Sequence, residues 1–160
     1  MGITRLATPA DLPRLVEISL ASFGAITWQR TVDRLFGPLN GHDWQERWRR
    51  RVETVLREQT ILVLEESGEI LGYASGTVDE ALGLGHLEIL AVDAAAQGKG
   101  HGRRLLQDFE RHCFSRGARH LTLESLTDNE PANELYRREG YQAVAQHFNW
   151  FKKIGEGGGG

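Results

Sequence analysis

Residues 87–106 read Leu87-Glu88-Ile89-Leu90-Ala91-Val92-Asp93-Ala94-Ala95-Ala96-Gln97-Gly98-Lys99-Gly100-His101-Gly102-Arg103-Arg104-Leu105-Leu106. A largely apolar run suited to a strand ends at Val92, a short loop crosses, and a helix begins inside QGKGHG. Glycines at 98, 100 and 102 free successive backbone N–H groups from side-chain cover. The helix start adds unpaired donors and the positive end of a dipole, which suits a phosphate or pyrophosphate. The P-loop pattern GxxxxGK[ST] is absent, and GxGxxG fails because Gly98 and Gly100 would require glycine where Arg103 stands. On spacing alone, a glycine turn closing a helix and a phosphate site both remain open.

On either side of this stretch the periodicity supplies the neighbours. Ile3 to Ala7 is short and apolar, and Thr8-Pro9-Ala10-Asp11 starts a helix, with Asp11 as cap and Pro13 in the first turn. Leu12, Leu15, Val16 and Phe23 follow helical spacing, and Phe36 to Gly41 breaks the chain. A second helix is expected from Asp43 to Glu58, with Trp44, Trp48, Val52 and Val55 on one face. Thr60–Glu66 and Ile70–Val78 read as a hairpin about Ser67-Gly68-Glu69, and Leu84–Val92 as the strongest strand. A helix ending near Gly117, a strand over Leu121–Leu126, a helix over Pro131–Arg138 and one or two strands over Tyr141–Phe151 complete the order. The expected fold is α/β: one mixed, mostly antiparallel sheet with helices on both faces.

Composition excludes whole classes. The 160 residues are 40% hydrophobic and 26% charged, which is globular usage. Residues 1–154 read as one domain, and Gly155 to Gly160 as a flexible tail carrying five of the 19 glycines. A net charge of −3 argues against nucleic acid, and no apolar run approaches a membrane span, so neither partner is expected. The six histidines are scattered without HxxxH or HExxH, so no metal is expected. The one cysteine, Cys113, forbids an internal disulfide and fits a reducing, cytoplasmic setting.

The run V-D-x-x-x-Q-G-K-G-x-G-x-x-L-L resembles the coenzyme A-binding motif of the GNAT N-acetyltransferases, [QR]-x-x-G-x-[GA], here Gln97, Gly100 and Gly102. A second motif of that family, N-x-x-A-x-x-L-Y followed by G-[FY], is present as Asn129, Ala132, Leu135, Tyr136, Gly140 and Tyr141. The resemblance covers residues 60 to 150 and implies an acyl-CoA N-acyltransferase-like fold whose central strands, at Val92 and near Leu121, splay to open a cleft. It implies acetyl-CoA as co-substrate, its pyrophosphate on the backbone of Gly98, Lys99, Gly100, His101, Gly102 and Arg103, with Gln97 in the motif. Leu90, Ala91 and Val92 would pair with the pantetheine arm, as an added strand pairs with a sheet edge. Asn129 matches a pantetheine-contacting position, although helix cap or turn former is an equal reading.

By the same resemblance, Tyr136 stands where the family's general acid sits, suited to donating to a departing thiolate. Glu88 resembles a glutamate used as base, against the alternative of an ion pair with an arginine, and His86 is a second possible base or pocket wall. Plain alternation puts His86, Glu88, Leu90 and Val92 on one face and Leu87, Ile89 and Ala91 on the other. The acceptor, a small-molecule or peptide amine, would meet the N-terminal helices, where Trp28 and Asp43 are open candidates while Trp44 and Trp48 read as core anchors. Cys113, on an apolar helix face, reads as a small hydrophobe, so an acyl-cysteine route is set aside. A monomer or homodimer is the family expectation. Two other readings stand beside catalysis: a non-catalytic acyl-CoA-binding module of the same fold, and a nucleotide-phosphate enzyme.

Overall fold

The computed structural model describes residues 2–24 and 27–155, so residues 156–160, the rest of the expected tail, lie outside the described residues. In chain order the elements are β1 (Ile3–Leu6), a 3-10 turn (Pro9–Asp11), α1 (Leu12–Phe23), α2 (Trp28–Phe36), α3 (Trp44–Glu58), β2 (Thr60–Glu66), β3 (Glu69–Asp79), β4 (Leu84–Val92), a 3-10 turn (Ala94–Ala96), α4 (His101–Ser115), β5 (His120–Leu123) and α5 (Glu130–Arg138). The sheet runs β1-β2-β3-β4-β5, antiparallel except for the parallel pair β4–β5. This is the mixed, mostly antiparallel sheet read from the sequence.

Alternation along the strands builds two cores. Ile61 and Val63 of β2 face Leu15, Val16 and Ile18 of α1 and Val52 and Val55 of α3. Leu62 and Leu64 face Leu105, Leu106, Phe109 and Cys113 of α4 on the opposite side. Within the first core, the buried Tyr73 hydroxyl shares a hydrogen bond with Ser19, whose Oγ donates to the Leu15 carbonyl at 2.7 Å.

The alternation fails at one place, and that place matters. Ser75 pairs with Ile89 but Gly76 pairs with Leu87, so Glu88 is an extra residue, a β-bulge. The parity of β4 flips there. Leu87, Leu90 and Val92 pack on the α4 side, whereas Ile89 and Ala91 pack on the α1/α3 side. Glu88 and His86 bond one another, and Glu88 also reaches Arg51 of α3, which places the pair on the α3 side. The grouping of Glu88 with Leu90 and Val92 is therefore corrected: a period of two cannot register an inserted residue.

Three further expectations change. A third N-terminal helix, α2, stands between the two that were read; Thr27 caps it, accepting from the Gln29 N–H at 3.3 Å. Asp33 ties it to α3 by accepting from Arg47 Nη1 at 2.7 Å and the Trp44 N–H at 2.8 Å. The strands expected over Tyr141–Phe151 are absent. Tyr141 is pinned by its N–H on the Tyr136 carbonyl and its hydroxyl on Glu110, both within 2.9 Å. Beyond it the chain borders an open groove opposite β5, and Val144, Phe148 and Trp150 are more than 80% exposed. Alternating residues prepare a strand, but only a partner's edge about 4.8 Å away makes one.

Asp11 does not cap α1 with its side chain. Its carboxylate accepts from the Thr8 N–H at 2.8 Å and pairs with Arg5 at 2.9 Å, and this guanidinium holds its pKa down at about 2, below the ordinary 3.8. Asp93, paired with Arg14, is likewise lowered. A carboxylate depressed in the fold contributes stability above its unfolded pKa and loses it as pH falls through the folded value. Stability is therefore expected to decline between pH 3.8 and about 2. Denaturant titrations over that range should show a shallower decline for Arg5→Gln, because its Asp11 titrates nearer the unfolded value.

Candidate active site

The site begins where two strands part. Leu84–Leu87 of β4 pair with His120–Leu123 of β5, and the pairing stops there. Beyond the bulge at Glu88, Ile89 to Val92 keep β3 on one side and have no β5 partner on the other. The expected splay thus opens at Glu88.

Past Val92 the chain is anchored before it reaches the glycines. Asp93 pairs with Arg14 of α1 at 2.5 Å and accepts from the Ala95 N–H at 3.3 Å. The Val92 carbonyl accepts from Ser22 Oγ at 2.9 Å and Gln97 Nε2 at 3.1 Å, so the Gln97 side chain turns back to the strand. Gly98 and Gly100 hold φ of +79° and +82°, left-handed values that glycine adopts without strain, and open space surrounds both. The first backbone bond of α4 runs from the Arg104 N–H to the Gly100 carbonyl at 3.1 Å. The N–H groups of His101, Gly102 and Arg103 therefore have no acceptor within the helix, and no side chain caps this end. Gly102 approaches Val92 and Leu135. Lys99 is exposed and has no ion pair among the described residues, while Arg103 is drawn to Glu139 at 2.9 Å.

Two cavities meet at the start of α2. An open groove of about 2220 Å³ runs between β5, the end of α4, α5 and residues 142–149, with Tyr136 in its wall. A smaller cavity of about 510 Å³ lies between α2, α3 and Glu88. Thr27 and Trp28 border both. Tyr136 packs against the α4 core with its ring edge toward Tyr141, centroids 5.9 Å apart. Burial raises its phenol pKa above the ordinary 10, and its hydroxyl makes no hydrogen bond among the described residues. Glu88 is held between Arg51 and His86, the latter at 3.0 Å, so the ion-pair alternative is realised in this state.

The other candidates separate. Trp28 is 40% exposed and borders the cavities, but Asp43 caps α3 through the Glu46 N–H at 2.9 Å and lines neither. Trp48 packs on Phe23 and on the core while also bordering the smaller cavity. Asn129 holds the N-cap position of α5 without a side-chain cap bond. Its neighbour Asn133 staples the preceding loop, donating to the Leu126 carbonyl at 3.0 Å and bonding Ser125. Asn133, Asp93, Arg14 and Arg51 were not singled out from the sequence; Asp93, Arg14 and Arg51 act through partners remote in the chain, whereas Asn133 acts on the loop just before it. Cys113 is buried against Gly85, and burial pushes its thiol pKa up to about 11, which leaves it inert as a nucleophile. Gly85 gives room to Cys113 and Leu121 rather than to a ligand, and Gly83 serves a turn at φ +64°.

Residues 26–141 match the model of the acetyltransferase (GNAT) family. The chain is 42% identical over 66 residues to N-alpha-acetyltransferase RimI of Mycobacterium tuberculosis, an alignment covering 41% of this chain and 40% of that one. It is 33% identical over 91 residues to the mycothiol acetyltransferase of Amycolatopsis mediterranei, covering 52% and 30%. The chain thus spans less than half the length of these two relatives. Among solved structures, the aminoglycoside N-acetyltransferase AAC(6')-Iy in complex with CoA superposes with a TM-score of 0.67 at 14% identity, over 96% of both chains. That likeness concerns the fold.

Proposed function

The chain belongs to the GNAT acetyltransferase family, and from that premise we propose that it transfers an acetyl group from acetyl-CoA directly to a primary amine within a ternary complex. One observation carries the reading. The glycine-cradled, uncapped start of α4 follows a strand whose second edge has just lost its partner. A pyrophosphate finds three free amides and a helix dipole there, and an extended arm finds an open strand edge beside them.

When bound, acetyl-CoA supplies the thioester that the amine attacks. The chain's own groups meet the remaining demands. Gly98 to Arg103 hold the pyrophosphate by backbone, with Lys99 adding charge, while Leu90, Ala91 and Val92 align the arm and Asn129 contacts it from α5. A free alkyl ammonium loses its proton only near pH ~10, so the acceptor must be deprotonated. Glu88, with His86 beside it, takes that proton, and the arginines around the smaller cavity favour the neutral amine over the ammonium. A backbone N–H of β4, at Leu90 or Val92, stabilises charge developing on the carbonyl oxygen. Tyr136 gives its proton to the departing thiolate. Burial keeps that phenol protonated throughout the neutral range.

We further infer that the enzyme works as one domain over residues 1–154, as a monomer or homodimer in the cytoplasm, on a small-molecule or peptide amine. One relative is named for N-alpha acetylation and another for mycothiol, so the family's acceptors span both kinds. Measuring thiol release from acetyl-CoA with a panel of primary amines tests the reading. Amine-dependent release that ATP does not inhibit is expected. Inhibition by ATP with a requirement for magnesium would point to a nucleotide site instead.

A further inference from the structure

Around the smaller cavity, cationic and donor groups outnumber acceptors. Arg47, Arg50 and Arg51 border it, and Glu88 is its one carboxylate. Arg47 is already engaged by Asp33 at 2.7 Å and Gln29 at 3.0 Å. Arg51 has Glu88 as its partner, and Arg50 has no ion pair among the described residues. Trp48 also borders the cavity, and its buried Nε1 donor has no hydrogen-bond acceptor among the described residues.

An acceptor ammonium delivered to Glu88 changes this balance. It competes with Arg51 for the only carboxylate, leaving two guanidiniums beside a third positive charge. Like charges at this separation are costly when partly desolvated. An acceptor that brings its own anion removes the conflict: the amine meets Glu88 while the anion meets Arg50, the released Arg51 and the free indole N–H. We propose that this cavity selects a small primary amine carrying an anionic group, a carboxylate or phosphate, on the same molecule. Its volume of about 510 Å³ suits a small molecule. The proposal rests on the acetyltransferase reading for the chemistry, but the anion site itself does not depend on turnover.

Two readouts separate these claims: kcat/KM for acetyl transfer, and Kd by calorimetry in the presence of CoA. The probes are β-alanine and phosphoethanolamine, compared with propylamine and ethanolamine. At least one anion-bearing amine is expected to bind about tenfold or more tightly than its counterpart lacking the anion, as for one charge-assisted contact, and to be acetylated with a correspondingly higher kcat/KM. The stronger of the two identifies the anion. Arg50→Gln, an exposed position, should collapse that ratio while circular dichroism remains native. Equal or tighter binding of the amines lacking the anion, or an unchanged ratio in Arg50→Gln, overturns the proposal. If the anionic amine binds through Arg50 yet no amine is acetylated, the anion site is upheld and the acetyltransferase reading fails.

Discussion

Tyr136→Phe is expected to lower kcat by roughly 10²- to 10⁴-fold, the usual range for removing a general acid, with affinity for coenzyme A unchanged. The separation follows from the place of the hydroxyl. The ring packs on Leu135, Tyr141 and the α4 core, and these contacts survive the substitution. The hydroxyl has no partner among the described residues, so its loss strands no buried group and costs at most about 1 kcal/mol of stability. What disappears is the proton for the departing thiolate. Because burial raises the phenol pKa above its ordinary value, Tyr136 stays protonated through the neutral range in which the assay is run. Stopped-time assays at saturating acetyl-CoA, with calorimetric titration of CoA, give both quantities on one preparation. Equal turnover in the variant would remove Tyr136 from this role.

The second large effect is on the bulge. A Cβ added at Gly76 would stand 1.9 Å from the His86 carbonyl oxygen and 2.5 Å from the Phe109 ring. Neither neighbour yields easily: the first is backbone of the adjoining strand, and the second is a fully buried core side chain. Gly76→Ala is therefore expected to destabilise the protein by about 3 kcal/mol, at the upper end of overpacking costs, lowering Tm by roughly 6–12 °C. Its activity should fall further than stability alone explains, because the displaced segment carries His86 and Glu88. Scanning calorimetry with kcat measured well below the melting range checks both parts. A Tm within about 2 °C of the parent would show that the bulge absorbs a methyl group at little cost.

The two halves of the site differed in how much the sequence revealed. The α4 loop was legible because its pattern is local: the helix begins inside QGKGHG, as read, and the glycines at 98 and 100 hold left-handed backbone in open space. Tyr136 and Asn129 fell on one short helix for the same reason. Glu88 was singled out as a candidate, but its face was misassigned, since a bulge depends on how β3 pairs and leaves no trace in the period of β4. Its partner Arg51 lies 37 positions earlier on another helix, beyond any local pattern.

The same distinction explains the errors in the fold. Helix α2 carried a signal that went unused, with Trp28, Val32, Leu35 and Phe36 at i, i+4, i+7 and i+8 behind Thr27. Only Val32 of these is buried, and tertiary contacts through Asp33 and Arg47 secure the helix. After Tyr141 the error runs the other way. The segment has strand-like residues but pairs with no strand: an open groove lies between it and the free edge of β5, and composition cannot report that gap.

The central claim is that the α4 loop, Glu88 and Tyr136 together move an acetyl group straight from acetyl-CoA to an amine. Mass spectrometry of one reaction mixture, reading amine products and intact protein together, tests it most directly. The account predicts acetylated amine accumulating in step with free coenzyme A, no acetyl group on Cys113, and both products suppressed in Tyr136→Phe. Coenzyme bound but no amine acetylated would leave an acyl-CoA-binding module, and an acetylated protein turning over with the amine would replace direct transfer with an acyl-enzyme route.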